Sequence, residues 1–191
     1  MTSELVLAKR TGLPDPLRVL IKEFPREAWQ SHPAYSQLIA FWLDRHLMFR
    51  RLLAHLNDDL HGVMNGQSDP EIYKRALSRF GGMLINQLHG HHQIEDAKYF
   101  PVMAQLDTGI ARGFDLLDSD HHAMDGLLSG LADSANAVLQ TDVGKTANFR
   151  DTLGGLHGVL DGFGTMLNRH LIDEEELVVP VLLKYAPAQF Q

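Results

Sequence analysis

The sequence predicts an all-α protein: an antiparallel up-down-up-down four-helix bundle with an N-terminal extension. Three observations predict it. Apolar residues recur at three- and four-residue spacing over four long segments, near 33–64, 70–105, 110–140 and 144–184. Short stretches rich in Gly, Asp, Ser and Pro separate these segments, and short connections favour antiparallel neighbours. A chain of 191 residues, 45% hydrophobic and 21% charged, suits one ordinary globular core and argues against disorder.

Residues 1–32 read as the extension and 33–191 as the bundle. Within the extension, GLPDPLRVLIKEFPREAW is a short helix between prolines that packs on the main body. NGQSDP at 65–70 ends the first long segment and starts the second, with Ser68 or Asp69 as N-cap and Pro70 in the first turn. LDTG at 106–109 and QTDVGK at 140–145 make the other two breaks.

The first stripe runs through Leu38, Trp42, His46, Phe49, Leu53, Leu56 and Leu60, and a histidine interrupts it. The second runs through Tyr73, Leu77, Phe80, Leu84, Leu88, His91, Glu95, Tyr99 and Val102, so LHGHHQIEDAKYFP places two polar groups on a face expected to be buried. His121 interrupts the third, between Leu117 and Met124. The fourth carries His170 and Glu174 between Leu167 and Leu177.

A lone histidine on such a stripe is more often a hydrogen-bonded core residue than a ligand. Six interruptions over four helices are harder to explain separately, because each unsatisfied buried polar group costs about 1–3 kcal/mol. A shared cation compensates for all of them at once. Residues four apart differ by about 40° around a helix, so His91 with Glu95, and His170 with Glu174, can reach one point. Four histidines and two glutamates exceed a tetrahedral zinc site. Shared between two ions, with Glu95 and Glu174 bridging, they suit a dinuclear iron centre, although manganese or zinc accept the same donors.

The remaining histidines are expected at the surface or boundary: His32, His55, His61, His89, His92, His122 and His157. Either His92 or His122 could donate a hydrogen bond behind a ligand. Asp173 and Glu176 read as a solvated face, whereas Glu174 faces inward. Gly154, Gly158 and Gly162, at four-residue spacing, read as a site of close helix packing within the bundle or at a homodimer interface. Tyr99 is an interior tyrosine that could hydrogen-bond a ligand or take part in redox chemistry.

Other function classes fall away. There is no cysteine, so disulfides, thiolate ligands and a cysteine nucleophile are excluded. The formal charge of −7 argues against nucleic acid or an anionic membrane as partner. No apolar run approaches the roughly 20 residues that span a bilayer, and the expected location is the cytoplasm. Phosphate-loop and GxSxG patterns are absent.

His46 in LDRHLMFR, His91 and Glu95 in HHQIEDAKYFP, His121 in DSDHHAMD, and His170 and Glu174 in NRHLIDEEELVVP together resemble the H…HxxxE…H…HxxxE pattern of hemerythrin-like (HHE cation-binding) domains. The resemblance covers about residues 33–184 and implies a non-haem, oxygen-reactive centre of two iron ions in an antiparallel bundle. Oxygen-carrying members have a second histidine in the third helix where this chain has Asp125, and their last carboxylate aligns with Glu175. The resemblance therefore implies a more oxygen-rich centre with an open coordination position. Its expected small ligand is dioxygen, nitric oxide or peroxide. Two rival readings are a di-iron oxidase or peroxidase, and a regulatory interaction domain held together by metal without catalysis.

Overall fold

The computed structural model describes residues 5–190, and every regular element among them is helical. A 3-10 turn at Asp15–Leu17 leads into the short α1 (Val19–Glu23), and a second 3-10 run covers Arg26–Ser31. The long elements are α2 (Gln37–Met64), α3 (Pro70–Ile94), α5 (Ala111–Gln140) and α6 (Thr146–Tyr185). A π-helical turn at Glu95–Tyr99 joins α3 to α4 (Phe100–Leu106).

The breaks follow local chemistry. The Ser36 carbonyl accepts the Ala40 N–H at 3.1 Å, which fixes the start of α2 just after Pro33. At its other end, Gln67 N–H donates to Gly62 O and Gly66 N–H to Val63 O, the paired bonds of a Schellman stop. Gly66 takes φ +69°, which a side chain would resist. Asp69, and not Ser68, caps α3: its Oδ1 accepts the N–H groups of Glu71 and Ile72, each at 2.9 Å.

The π turn changes the register of a stripe that the sequence reads as continuous. Its closing bond runs from the Phe100 N–H to the Glu95 carbonyl, five residues back. The extra residue moves the buried positions from Tyr99 and Val102, which are half-buried, to Phe100 and Met103, which are buried. Pro101 gives the wider turn a local cause, because a proline ring clashes with the carbonyl four residues earlier in a regular α-helix.

The described chain divides into two compact units. The first, over 5–47, 92–123 and 167–190, has a core that includes Trp42, Phe100, Met103, Phe114, Leu117, Leu177 and Val181. Leu13, Leu20 and Trp29 of the extension belong to the same core, each such burial stabilising by roughly 1.5–3 kcal/mol. The second unit, over 48–91 and 124–166, buries Phe49, Leu56, Leu60, Leu77, Leu84, Leu156, Leu160 and Phe163. No described helix is long and apolar enough to cross a membrane.

Two expectations need correction. A Cβ on Gly154, Gly158 or Gly162 would meet nothing within 4 Å, so close packing within the chain does not explain these glycines. The crowded positions are elsewhere: a Cβ at Gly164 would lie 2.9 Å from Leu53 Cδ2, and one at Gly113 would lie 2.7 Å from Leu177 Cδ2. Asp173 is fully buried, not solvated, because Arg10 Nε at 2.8 Å and Arg169 Nη2 at 2.5 Å neutralise it.

Candidate metal centre

The first unit gathers its polar residues in one buried place. α2 contributes Trp42 and His46, α3 His92, the π turn Glu95 and Asp96, α5 Asp120 and His121, and α6 His170, Glu174 and Glu175. Of these, His46, His92, Glu95, His121, His170, Glu174 and Glu175 are all buried. Such a concentration of charge inside an apolar core is stable only if the groups compensate one another or share a cation.

Glu174 lies at the middle. Its Oε1 is 3.3 Å from His46 Nε2 and its Oε2 is 3.4 Å from His170 Nε2. Trp42 donates its indole N–H to the same Oε1. Glu95 takes a parallel place, with Oε2 3.5 Å from His121 Nε2. His121 Nε2 in turn lies 3.2 Å from His170 Nε2. His92 stacks on the His121 ring at 4.0 Å, and His92, His121 and His170 each offer a ring nitrogen within 4.8 Å of the others. His46, Glu95 and Glu174 satisfy the same condition.

Behind each of three histidines stands a carboxylate. His46 Nδ1 donates to Glu175 Oε1 at 3.0 Å, and His121 Nδ1 to Asp96 Oδ1 at 2.7 Å. His170 Nδ1 lies farther, 3.4 Å from Asp120 Oδ2. An Nδ1–H held by a carboxylate leaves Nε2 as the lone-pair nitrogen pointing into the cluster.

The electrostatics follow from that excess of carboxylate. Burial alone would lower the His170 imidazole, but the Asp120 and Glu174 carboxylates raise it to about 9. His46 is likewise depressed by burial and raised on balance by Glu174 and Glu175. Burial, and then the charge of Glu174, push the Glu95 carboxyl well above its ordinary range. Burial would also raise Asp120, but His170 and Arg10 hold it below the usual carboxylate value. Without a cation the cluster holds protons in its place.

The donor set fits a metal. Two donors each about 2.1 Å from one ion and near 90–110° apart are themselves about 3.0–3.4 Å apart. The separations between facing nitrogens and oxygens, 3.2–3.5 Å, lie close to that spacing and at or beyond the long end of a good hydrogen bond.

The family model of the hemerythrin HHE cation binding domain matches residues 37–182. The chain belongs to that family. No curated protein and no solved structure matches it. Membership in a cation-binding family agrees with the His and Glu groups that could hold a metal ion.

Within this hemerythrin-like domain, five of the six residues singled out from the sequence, His46, Glu95, His121, His170 and Glu174, come together. His91 stands one turn before Glu95 on α3, half-buried, with its ring 5.3 Å from Phe49. Sequence reasoning did not place His92 among the candidate ligands: it is expected at the surface or boundary, or as a donor behind a ligand, but is 2% exposed. The signal was present: Leu88, His92 and Glu95 are spaced four and three residues apart, as regular a stripe as Leu88, His91 and Glu95. Glu175, where the resemblance aligns the last carboxylate of oxygen-carrying members, contacts His46. Asp125 is exposed and pairs with His89 at 3.1 Å. Tyr99 packs edge-on against Trp42 at 5.0 Å.

Proposed function

We propose that this hemerythrin-like protein forms an antiparallel bundle around two non-haem iron ions and binds or senses dioxygen, nitric oxide or peroxide there. His46, Glu95 and Glu174 can each offer a ligand atom to one cation, and His92, His121 and His170 to another. The observation that carries the reading is the division of Glu174, with one oxygen toward His46 and the other toward His170. A carboxylate so placed could be shared between two ions. Six nitrogen- and carboxylate-bearing residues exceed a tetrahedral zinc site and suit a pair of iron ions.

A bound iron pair would supply a Lewis-acidic, one-electron-active centre to a small ligand. The chain's own residues do the rest. His46, His121 and His170 are held by carboxylates at Nδ1, which fixes the nitrogen that faces inward. Trp42 orients Glu174 by its indole N–H and forms part of an apolar wall with Tyr99. His92 supplies a nitrogen from α3 where the third helix has Asp125, so the centre is richer in nitrogen than the sequence pattern implies.

Iron-loaded protein is expected to show ligand-to-metal absorption that changes on exposure to dioxygen, nitric oxide or peroxide. An iron-loaded spectrum indifferent to all three would overturn the gas- or peroxide-binding reading.

A further inference from the structure

Two arginines of the N-terminal segment reach carboxylates that stand behind the candidate ligands. Arg10 donates from Nη2 to Asp120 Oδ2 at 2.5 Å and from Nη1 to Asp120 Oδ1 at 3.2 Å, and Asp120 Oδ2 is the oxygen facing His170 Nδ1. Arg26 donates from Nη1 to Glu175 Oε2 at 2.6 Å, while Glu175 Oε1 accepts from His46 Nδ1 at 3.0 Å. Both arginines lie outside the matched domain, which begins at residue 37.

We infer that the segment before the domain completes the metal centre: Arg10 and Arg26 are positioning residues that act through Asp120 and Glu175 on His170 and His46. The inference rests on the reading of those histidines as ligands. The two relays approach Glu174 from opposite sides, because His46 Nε2 and His170 Nε2 face its two different oxygens. A guanidinium on a carboxylate fixes the plane of that carboxylate and draws charge from it. The carboxylate in turn sets the tautomer, ring orientation and basicity of the imidazole.

The segment is also anchored by contacts that involve neither Asp120 nor Glu175. Asp173 accepts from Arg10 Nε, from the Leu13 N–H at 3.1 Å and from Arg169, which also donates to the Thr11 carbonyl at 2.7 Å. Arg26 is placed by its own segment, with its guanidinium 4.6 Å over the Trp29 ring, and Trp29 is buried with its indole N–H donating to the Phe24 carbonyl at 2.8 Å. The segment therefore arrives at the site with one arginine for each relay.

The test uses the full chain and Co(II), a probe that accepts nitrogen and oxygen donors and absorbs in the visible. Parent protein, Arg10→Met, Arg26→Met, Arg26→Lys, His46→Ala and His170→Ala are compared for Co(II) affinity by chelator competition, for the shape of the Co(II) spectrum, and for melting temperature without metal. Arg26 is the safer position, since half of its side chain is exposed. Each Arg→Met change is expected to weaken Co(II) binding about 10–100-fold and to shift the visible bands, as loss of an outer partner does, with Arg26→Lys restoring most of both. Unchanged affinity and spectrum in both Arg→Met variants, alongside loss of binding in His46→Ala and His170→Ala, would overturn this inference alone. Parent-like binding in His46→Ala and His170→Ala would overturn the ligand reading and this inference with it.

Discussion

His92 stacks on His121, the rings 4.0 Å apart and within 11° of parallel. Neighbouring imidazoles on α3 and α5 thus present nitrogens to one point together with His170. His92→Ala is expected to reduce bound iron from about two ions per chain towards about one, because it removes one of three nitrogens from the second ion. His122→Ala, whose side chain is 74% exposed, should leave the content unchanged. Elemental analysis of the two purified variants makes the comparison. Equal iron in both would remove His92 from the centre.

Arg10→Met should destabilise the metal-free protein by about 3–5 kcal/mol, since it strips the guanidinium from the buried Asp120 carboxylate and one of two guanidiniums from Asp173. Denaturant unfolding at neutral pH measures it. Adding Asp120→Asn to the same chain should recover part of the loss by removing one uncompensated charge. A double variant no more stable than the single one would argue against charge burial as the cause.

The glycines divide into two kinds. Gly158→Ala should stabilise by up to about 1 kcal/mol, because α6 gains a better helix former and the new methyl meets nothing within 4 Å. Gly113→Ala should cost about 1–3 kcal/mol, since its methyl would crowd the buried Leu177 at Cδ2 and Cδ1. Chemical unfolding of the two variants should give shifts of opposite sign.

Metal and protons compete for the same nitrogens. His170, raised to about 9 without metal, is protonated at neutral pH and must lose that proton to bind an ion through Nε2. Apparent metal affinity should therefore rise with pH up to about 9, and binding at pH 7 should release protons into the buffer. The metal-free fold should show the opposite trend. A raised folded pKa adds stability below the unfolded value of about 6.5 that is lost as pH rises through about 9. Calorimetric titration in buffers of different ionisation enthalpy reads the proton release. A binding enthalpy independent of buffer would contradict it.

Much of this was legible because helical spacing is a local property. The four long segments and the placement of His46, Glu95, His121, His170 and Glu174 follow from three- and four-residue periodicity alone. The shift from Tyr99 and Val102 to Phe100 and Met103 was not legible from spacing, because the single extra residue of the π turn changes the phase of everything after it. Pro101 was the local hint. Burial of Asp173 was hidden for a different reason. Its partner Arg10 is 163 residues away in sequence, and an acidic run beside other acids gives no sign of a distant arginine. His92 lay within reach of the sequence, since a core-facing stripe is wide enough to hold two adjacent residues.

A two-ion centre is tested most directly by the iron content per chain of protein purified from iron-replete cells without a histidine tag. About two irons per chain are expected, with loss in His46→Ala and in Glu174→Ala. No metal in the parent, with both variants folded and as stable as the parent, would mean that these histidines and glutamates satisfy one another and hold no ion.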